Sequence, residues 1–93
     1  MTLEILKLLV LSTSHVTAAT ARLLDHTPRP DWPVSGGPHG LYGWFCYAHD
    51  EDPQGNIPLE MMNVFWFARE NECDYVLFDR DADVIDELPV WEW

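Results

Sequence analysis

The run Ile5-Leu6-Lys7-Leu8-Leu9-Val10-Leu11 has the composition of a buried β-strand. In an extended chain the even-numbered residues share one apolar face, and the odd-numbered residues form a second face that is apolar except for Lys7. Because both faces are apolar, the run predicts a strand that is covered on both sides and lies near the middle of a sheet.

Outward from this run, the patterning predicts two helices. Residues 18–24 are rich in Ala and Leu, follow several candidate N-cap residues, and end near Asp25 and His26. A second helix is expected to begin at Pro58 and run to about Asn71, with Phe67 in the middle of its polar face. Both helices are long enough to cover a small sheet.

Further strands are predicted at 41–48 and 74–79, with an irregular final strand over 84–93 that Pro89 interrupts. The density of Pro and Gly in residues 27–40 predicts a long loop without regular structure. The resulting order, β-α-β-α-β-β, predicts a single α+β domain over residues 1–93, a mixed three- or four-stranded sheet with two helices packed on it.

Cysteine content and hydropathy indicate the compartment. Cys46 and Cys73 are too few for a disulfide framework and lack C-x-x-C spacing, so both are expected to be buried thiols. The apolar run near the start is short and interrupted by Lys7, unlike a signal peptide. No run approaches the roughly 18 apolar residues of a membrane span. We therefore expect a cytoplasmic protein that does not bind membranes.

The charge is confined to one half of the chain. Residues 1–49 carry three acids and three bases, whereas residues 50–93 carry thirteen acids and two bases, so the net charge of −11 belongs to the second half. A negative surface of this kind repels nucleic acid and anionic lipid and attracts cationic partners. The asymmetry argues against direct nucleic-acid binding.

Motifs that could support catalysis or metal binding are incomplete. Asp79-Arg80-Asp81 resembles the Asp-x-Asp nucleophile of haloacid-dehalogenase-type phosphatases, but the Gly that follows it in that family is Ala82 here, and only ten residues follow Asp83. A calcium loop starting at Asp79 would need Gly where Val84 stands. We expect no catalytic residues, no metal and no cofactor.

Histidines and aromatic residues have structural interpretations. The four histidines lack metal-ligand spacing, and His15 follows Ser12-Thr13-Ser14 without a nucleophile elbow, so hydrogen bonds in a cap or loop are expected there. Tyr42, Trp44, Phe45 and Tyr47 have no neighbouring Arg or Lys in the sequence. We therefore expect these aromatic residues to form core rather than a platform for stacking bases.

The acidic half predicts a partner-binding surface. If Asp79, Asp81 and Asp83 were extended, their carboxylates would be spaced by about 6.6 Å, comparable with neighbouring phosphates. Phe67 would add apolar contact. The alternative is that the carboxylates only keep the protein soluble. The residues predicted to bind a partner are Asp50, Glu51, Asp52, Glu60, Phe67, Glu70, Glu72, Asp79, Asp81, Asp83, Asp86 and Glu87.

Several stretches resemble an uncharacterised family of short acidic proteins from proteobacterial plasmids and integrated elements (domain of unknown function 5983). They include Ser12-Thr13-Ser14-His15, Gly43-Trp44-Phe45-Cys46-Tyr47, Tyr75-Val76-Leu77-Phe78-Asp79 and the ending Leu88-Pro89-Val90-Trp91-Glu92-Trp93. The resemblance implies no activity and no catalytic residues. It places the chain among small acidic proteins of mobile genetic elements, many of which inhibit host defence.

We therefore expect a non-enzymatic inhibitor, an anti-CRISPR or other anti-defence protein that imitates DNA charge and binds the basic nucleic-acid-binding groove of a host defence complex. The alternative is an accessory protein-binding module of a plasmid maintenance or toxin-antitoxin system, without nucleic-acid mimicry. In either case the protein is expected to be a monomer or weak dimer.

Overall fold

The computed structural model describes residues 3–40, 43–49 and 55–92. Its strands and α-helices are, in chain order, β1 (Leu8–Ser12), α1 (Ala18–His26), β2 (Gly36–Pro38), β3 (Gly43–Tyr47), α2 (Leu59–Glu70) and β4 (Tyr75–Asp79). The sheet has the order β1-β4-β3-β2. β1 is parallel to β4, and the other neighbours are antiparallel. The predicted α+β class, with two helices on a mixed sheet, is confirmed.

One face of the sheet carries the hydrophobic core. Alternate residues of the strands point to this face, and they and the inward faces of both helices form one buried cluster. α2 contributes four buried residues that lie on one side of the helix over successive turns, Met61, Val64, Phe65 and Ala68. Cys46 and Cys73 are buried and form no disulfide, as expected. Neither of these two helices covers the opposite face of the sheet.

The position predicted for the first strand is wrong. β1 begins at Leu8, opposite Tyr75 of β4, rather than at Ile5. It lies at the edge of the sheet, where β4 is its only neighbour among the described strands. Leu11 is fully buried, but Leu8 and Val10 are 44% and 47% exposed on the face without helices. An apolar pattern on both sides does not distinguish a central strand from an edge strand whose second face is open.

The prediction that residues 27–40 form a loop without regular structure is wrong, because β2 lies within this range. β2 pairs with β3 through the register Gly36↔Cys46, Gly37↔Phe45 and Pro38↔Trp44. A Cβ at Gly36 would lie 1.9 Å from the carbonyl oxygen of Phe45, so only glycine permits this approach. Pro38 is tolerated because β2 is an edge strand. The final strand predicted over 84–93 is also wrong, since the described residues 84–92 pair with no strand.

Glu60 links the N-termini of the two helices. Its carboxylate accepts hydrogen bonds from the hydroxyls of Thr17, at 2.9 Å, and Thr20, and from the Thr17 amide at 3.3 Å. Thr17 is the N-cap of α1, and Glu60 lies in the first turn of α2. Burial acts to raise the pKa of Glu60, but these hydrogen bonds and one from its own backbone outweigh burial and hold the pKa below 4.5.

Replacing Glu60 with Gln is expected to lower the free energy of unfolding by about 1 kcal/mol at pH 7. Because the pKa of Glu60 is lower in the folded state than in the unfolded state, this contribution is complete above pH 4.5 and is lost as the pH falls through the folded-state value. Urea unfolding of both proteins between pH 7 and pH 3 measures the difference. Glu70→Gln, at the exposed end of the same helix, is the control. A wild-type advantage that is equal across this pH range would contradict the assignment.

Candidate functional site

β4 leads directly into a strongly acidic stretch, residues 79–87, called the acidic segment below. It holds five carboxylates and one base, Arg80. Asp79, the last residue of β4, is partly buried, whereas the other four carboxylates are exposed. The exposed members are Asp81, Asp83, Asp86 and Glu87. Carboxylates at this density create a strong local negative potential.

The acidic segment turns immediately after the strand. The Asp79 carboxylate accepts a hydrogen bond from the Asp81 amide at 2.9 Å, and the Asp79 carbonyl accepts one from the Ala82 amide at 3.1 Å. These bonds define an Asx-type turn. The extended row of Asp79, Asp81 and Asp83 considered from the sequence is therefore wrong, because the carboxylates are arranged around a turn.

A buried imidazole holds the segment in place. His15 is 1% exposed. Its Nε2 accepts the amide hydrogen of Ile85 at 2.8 Å, and its Nδ1 lies 2.8 Å from the carbonyl oxygen of Pro89. Because an amide can only donate and a carbonyl can only accept, the ring must be neutral with its hydrogen on Nδ1. One side chain thus fixes the backbone on both sides of Asp86 and Glu87.

Two backbone hydrogen bonds reinforce this contact. The Ser12 amide donates to the Asp83 carbonyl at 3.1 Å, and the Trp91 amide donates to the Ser14 carbonyl at 2.9 Å. Ile85 and Leu88 pack against the core between these points. The segment is therefore anchored to the turn that follows β1, although it pairs with no strand. These contacts hold the backbone that carries its carboxylates.

His15 is not placed to activate a serine. Both ring nitrogens bond to backbone groups, and the hydroxyls of Ser12 and Ser14 lie 3.0 Å from each other. The Ser12 hydroxyl also accepts the Ser14 amide hydrogen at 3.1 Å. These are the cap and loop hydrogen bonds that the sequence predicts for this stretch.

The other predicted charges lie elsewhere. Glu70 and Glu72 are exposed at the end of α2, beside the start of β4, and β4 separates them from the acidic segment by about 16 Å. The carboxylate of Glu60 is engaged by Thr17 and Thr20. Asp50, Glu51 and Asp52 lie outside the described residues. Of the predicted residues that the structure describes, it thus brings together those from Asp79 to Glu87.

The exposed apolar residues near these charges differ from the one chosen from the sequence. Phe67 is partly buried, whereas Leu59 and Trp66, also on α2, are 67% and 48% exposed. Leu59 and Trp66 are seven residues apart and so share one side of the helix. This spacing is the sequence signal that could have identified them. Within and beside the acidic segment, Val84 and Val90 are exposed as well.

Fold and site together define a small α+β domain with an acidic segment that is anchored through its backbone. Among the described residues, no helix has both the length and the apolar character that a membrane span requires. The model of the family of unknown function DUF5983, C-terminal domain, matches residues 8–93, so the chain belongs to this family. No curated protein and no solved structure matches the chain.

Replacing His15 with Ala is expected to lower the free energy of unfolding by about 2–4 kcal/mol, because it leaves a cavity and removes the partners of the Ile85 amide and the Pro89 carbonyl. Urea unfolding followed by circular dichroism measures the change. His26→Ala, at the exposed C-terminal turn of α1, is the matched control and should change stability by less than about 0.5 kcal/mol. Equal effects of the two substitutions would show that His15 does not anchor the segment.

Proposed function

We propose that this domain is a non-enzymatic inhibitor that binds the basic, nucleic-acid-binding surface of a partner protein. The observation that carries the proposal is the acidic segment, whose backbone, carrying four exposed carboxylates, is held by the His15 hydrogen bonds and the flanking backbone bonds. A charged surface that is already ordered loses little conformational entropy when it binds.

Electrostatic and apolar contributions both support binding to a protein. A cluster of carboxylates attracts a Lys- and Arg-rich cleft and speeds encounter with it, and release of the counterions bound there favours the complex. Val84 and Val90 are 52% and 55% exposed beside the carboxylates and offer apolar contact. The imitation of nucleic acid in this proposal is one of local charge density, because the segment turns instead of presenting a straight row of charges.

The finer identity of the partner is part of the same proposal. We place the protein on a plasmid or another mobile genetic element, in the cytoplasm, and its partner among host defence effectors, with an anti-CRISPR role as the leading case. The net charge of −11 supports this assignment. It fits an inhibitor that occupies a groove built for a polyanion.

A second candidate function uses a different surface. Leu59 and Trp66 are exposed on α2, and an exposed tryptophan is a common anchor of protein interfaces. These residues favour an accessory module of a plasmid maintenance or toxin-antitoxin system that binds a protein without competing with nucleic acid. Competition for DNA distinguishes this function from inhibition by charge.

The inhibitor proposal is tested by displacement of fluorescent duplex DNA from a panel of purified DNA-binding defence effectors. The wild-type domain should release DNA from at least one effector. The triple variant Asp81→Lys, Asp83→Lys and Glu87→Lys should slow association with that effector by about tenfold or more, because it reverses the local field. Raised salt should slow association of the wild-type protein in the same direction.

A double variant, Glu70→Lys and Glu72→Lys, is the matched control, since it reverses exposed charges at the opposite end of β4. Trp66→Ala tests the second candidate. The inhibitor proposal would be overturned if the domain displaced DNA from none of the effectors. It would also be overturned if the two charge reversals had equal effects on association. Binding that is lost in Trp66→Ala and kept in the triple variant would favour the accessory module.

A further inference from the structure

The face of the sheet without helices carries an aromatic groove. Phe45 and Tyr47 of β3 and Tyr75 of β4 form its floor, and Gly36, Gly37, Pro38 and His39 lie along one side. The rings of Phe45 and Tyr75 stack with their centroids 5.0 Å apart, and those of Tyr47 and Tyr75 are 5.5 Å apart. Phe45 and Tyr47 were expected in the core, and this expectation is wrong. Trp44 is buried there as predicted.

Size and shape suit a small ligand. The groove has a volume of about 490 Å³, within the range of small-molecule sites. Gly37 has no side chain, so the Arg29 side chain can lie against β2 beside this floor. Aromatic rings that line an open groove are suited to a planar ligand ring, since offset and edge-to-face contacts between rings are favourable.

A guanidinium lies beside this floor. Arg29 lines the groove, and its Nε donates a hydrogen bond to the Gly36 carbonyl. Its side chain lies against Gly37, where a Cβ would be 3.2 Å from Nε. Arg29 is exposed, so its terminal amino groups can reach a ligand in the groove. A positioned guanidinium binds phosphate or carboxylate through two parallel hydrogen bonds.

The acidic segment lies at the other end of β4 from this cation. Asp74 precedes the floor residue Tyr75, and its carboxylate is 2.9 Å from Nε2 of His49. The groove lies at the Tyr75 end of β4, whereas the acidic segment begins at the Asp79 end. The groove therefore has a cationic side within a protein of net charge −11.

We propose that this groove binds a planar aromatic anion of nucleotide size, with the ring on Phe45, Tyr47 and Tyr75 and the anionic group on Arg29. The proposal is independent of the inhibitor function. The sequence does not show this site, because Arg29 is sixteen residues from Phe45 and reaches it only through the pairing of β2 with β3.

The test is a titration of the ¹⁵N-labelled protein, followed by amide chemical shifts, with adenosine 5′-monophosphate as the probe. We expect saturable shifts at Gly36, Gly37, Phe45, Tyr47 and Tyr75, with a dissociation constant below about 1 mM. Adenosine supplies the ring alone and inorganic phosphate supplies the anion alone. Each should bind with a dissociation constant at least about tenfold higher than that of the nucleotide. Indole-3-acetate, an aromatic carboxylate, distinguishes a carboxylate ligand from a phosphate ligand.

Variants locate the binding site. Arg29→Gln should weaken binding of the nucleotide by about tenfold or more, and Arg29→Lys, which keeps the charge but loses the paired donors, should give an intermediate loss. Arg22→Gln removes an equivalent exposed charge from α1, on the helical side, and should leave binding unchanged. The same spectra report whether each variant is folded.

Three outcomes would overturn the proposal. They are the absence of saturable shifts with both the nucleotide and indole-3-acetate, shifts confined to residues outside the groove, and equal binding by wild type and Arg29→Gln. Binding of one probe alone would support the site and identify the anion that it prefers.

Discussion

The neutral imidazole of His15 is the contact on which the arrangement of the C-terminal part of the domain depends. It joins the amide of Ile85 to the carbonyl of Pro89 across a ring that is 1% exposed. Residues 80–92 contain no helix or strand of their own, so anchoring contacts must hold them. Because the ring satisfies one donor and one acceptor in a buried site, it holds the backbone on both sides of the charged residues Asp86 and Glu87.

The one-sided covering of the sheet accounts for the remaining surfaces. Both helices contribute to a single core on one face, and the carboxylate of Glu60 holds their N-termini together. The opposite face keeps Leu8 and Val10 exposed at the β1 edge and places the aromatic groove at the β2 side. The domain thus presents an acidic surface after β4 and an aromatic surface with a guanidinium, each built on a different part of the sheet.

Periodicity and composition predicted the local elements well, because both helices, β3 and β4 are determined by neighbouring residues. They did not predict β2, since its Gly-Gly-Pro sequence depends on close approach to β3. The density of carboxylates after β4 is visible in the sequence, but their conformation is not. It is set by His15, which is 70 residues from Ile85 and 74 from Pro89. Contacts at such separation leave no local pattern.

Amide hydrogen exchange of the wild-type protein at neutral pH tests most directly whether the acidic segment is anchored. If it is, the amides of Ile85 and Trp91, which donate to His15 and to Ser14, should exchange much more slowly than in an unstructured peptide, with protection approaching that of Val76 in β4. Exchange of both amides at the rate of an unstructured peptide, while Val76 stays protected, would contradict the account.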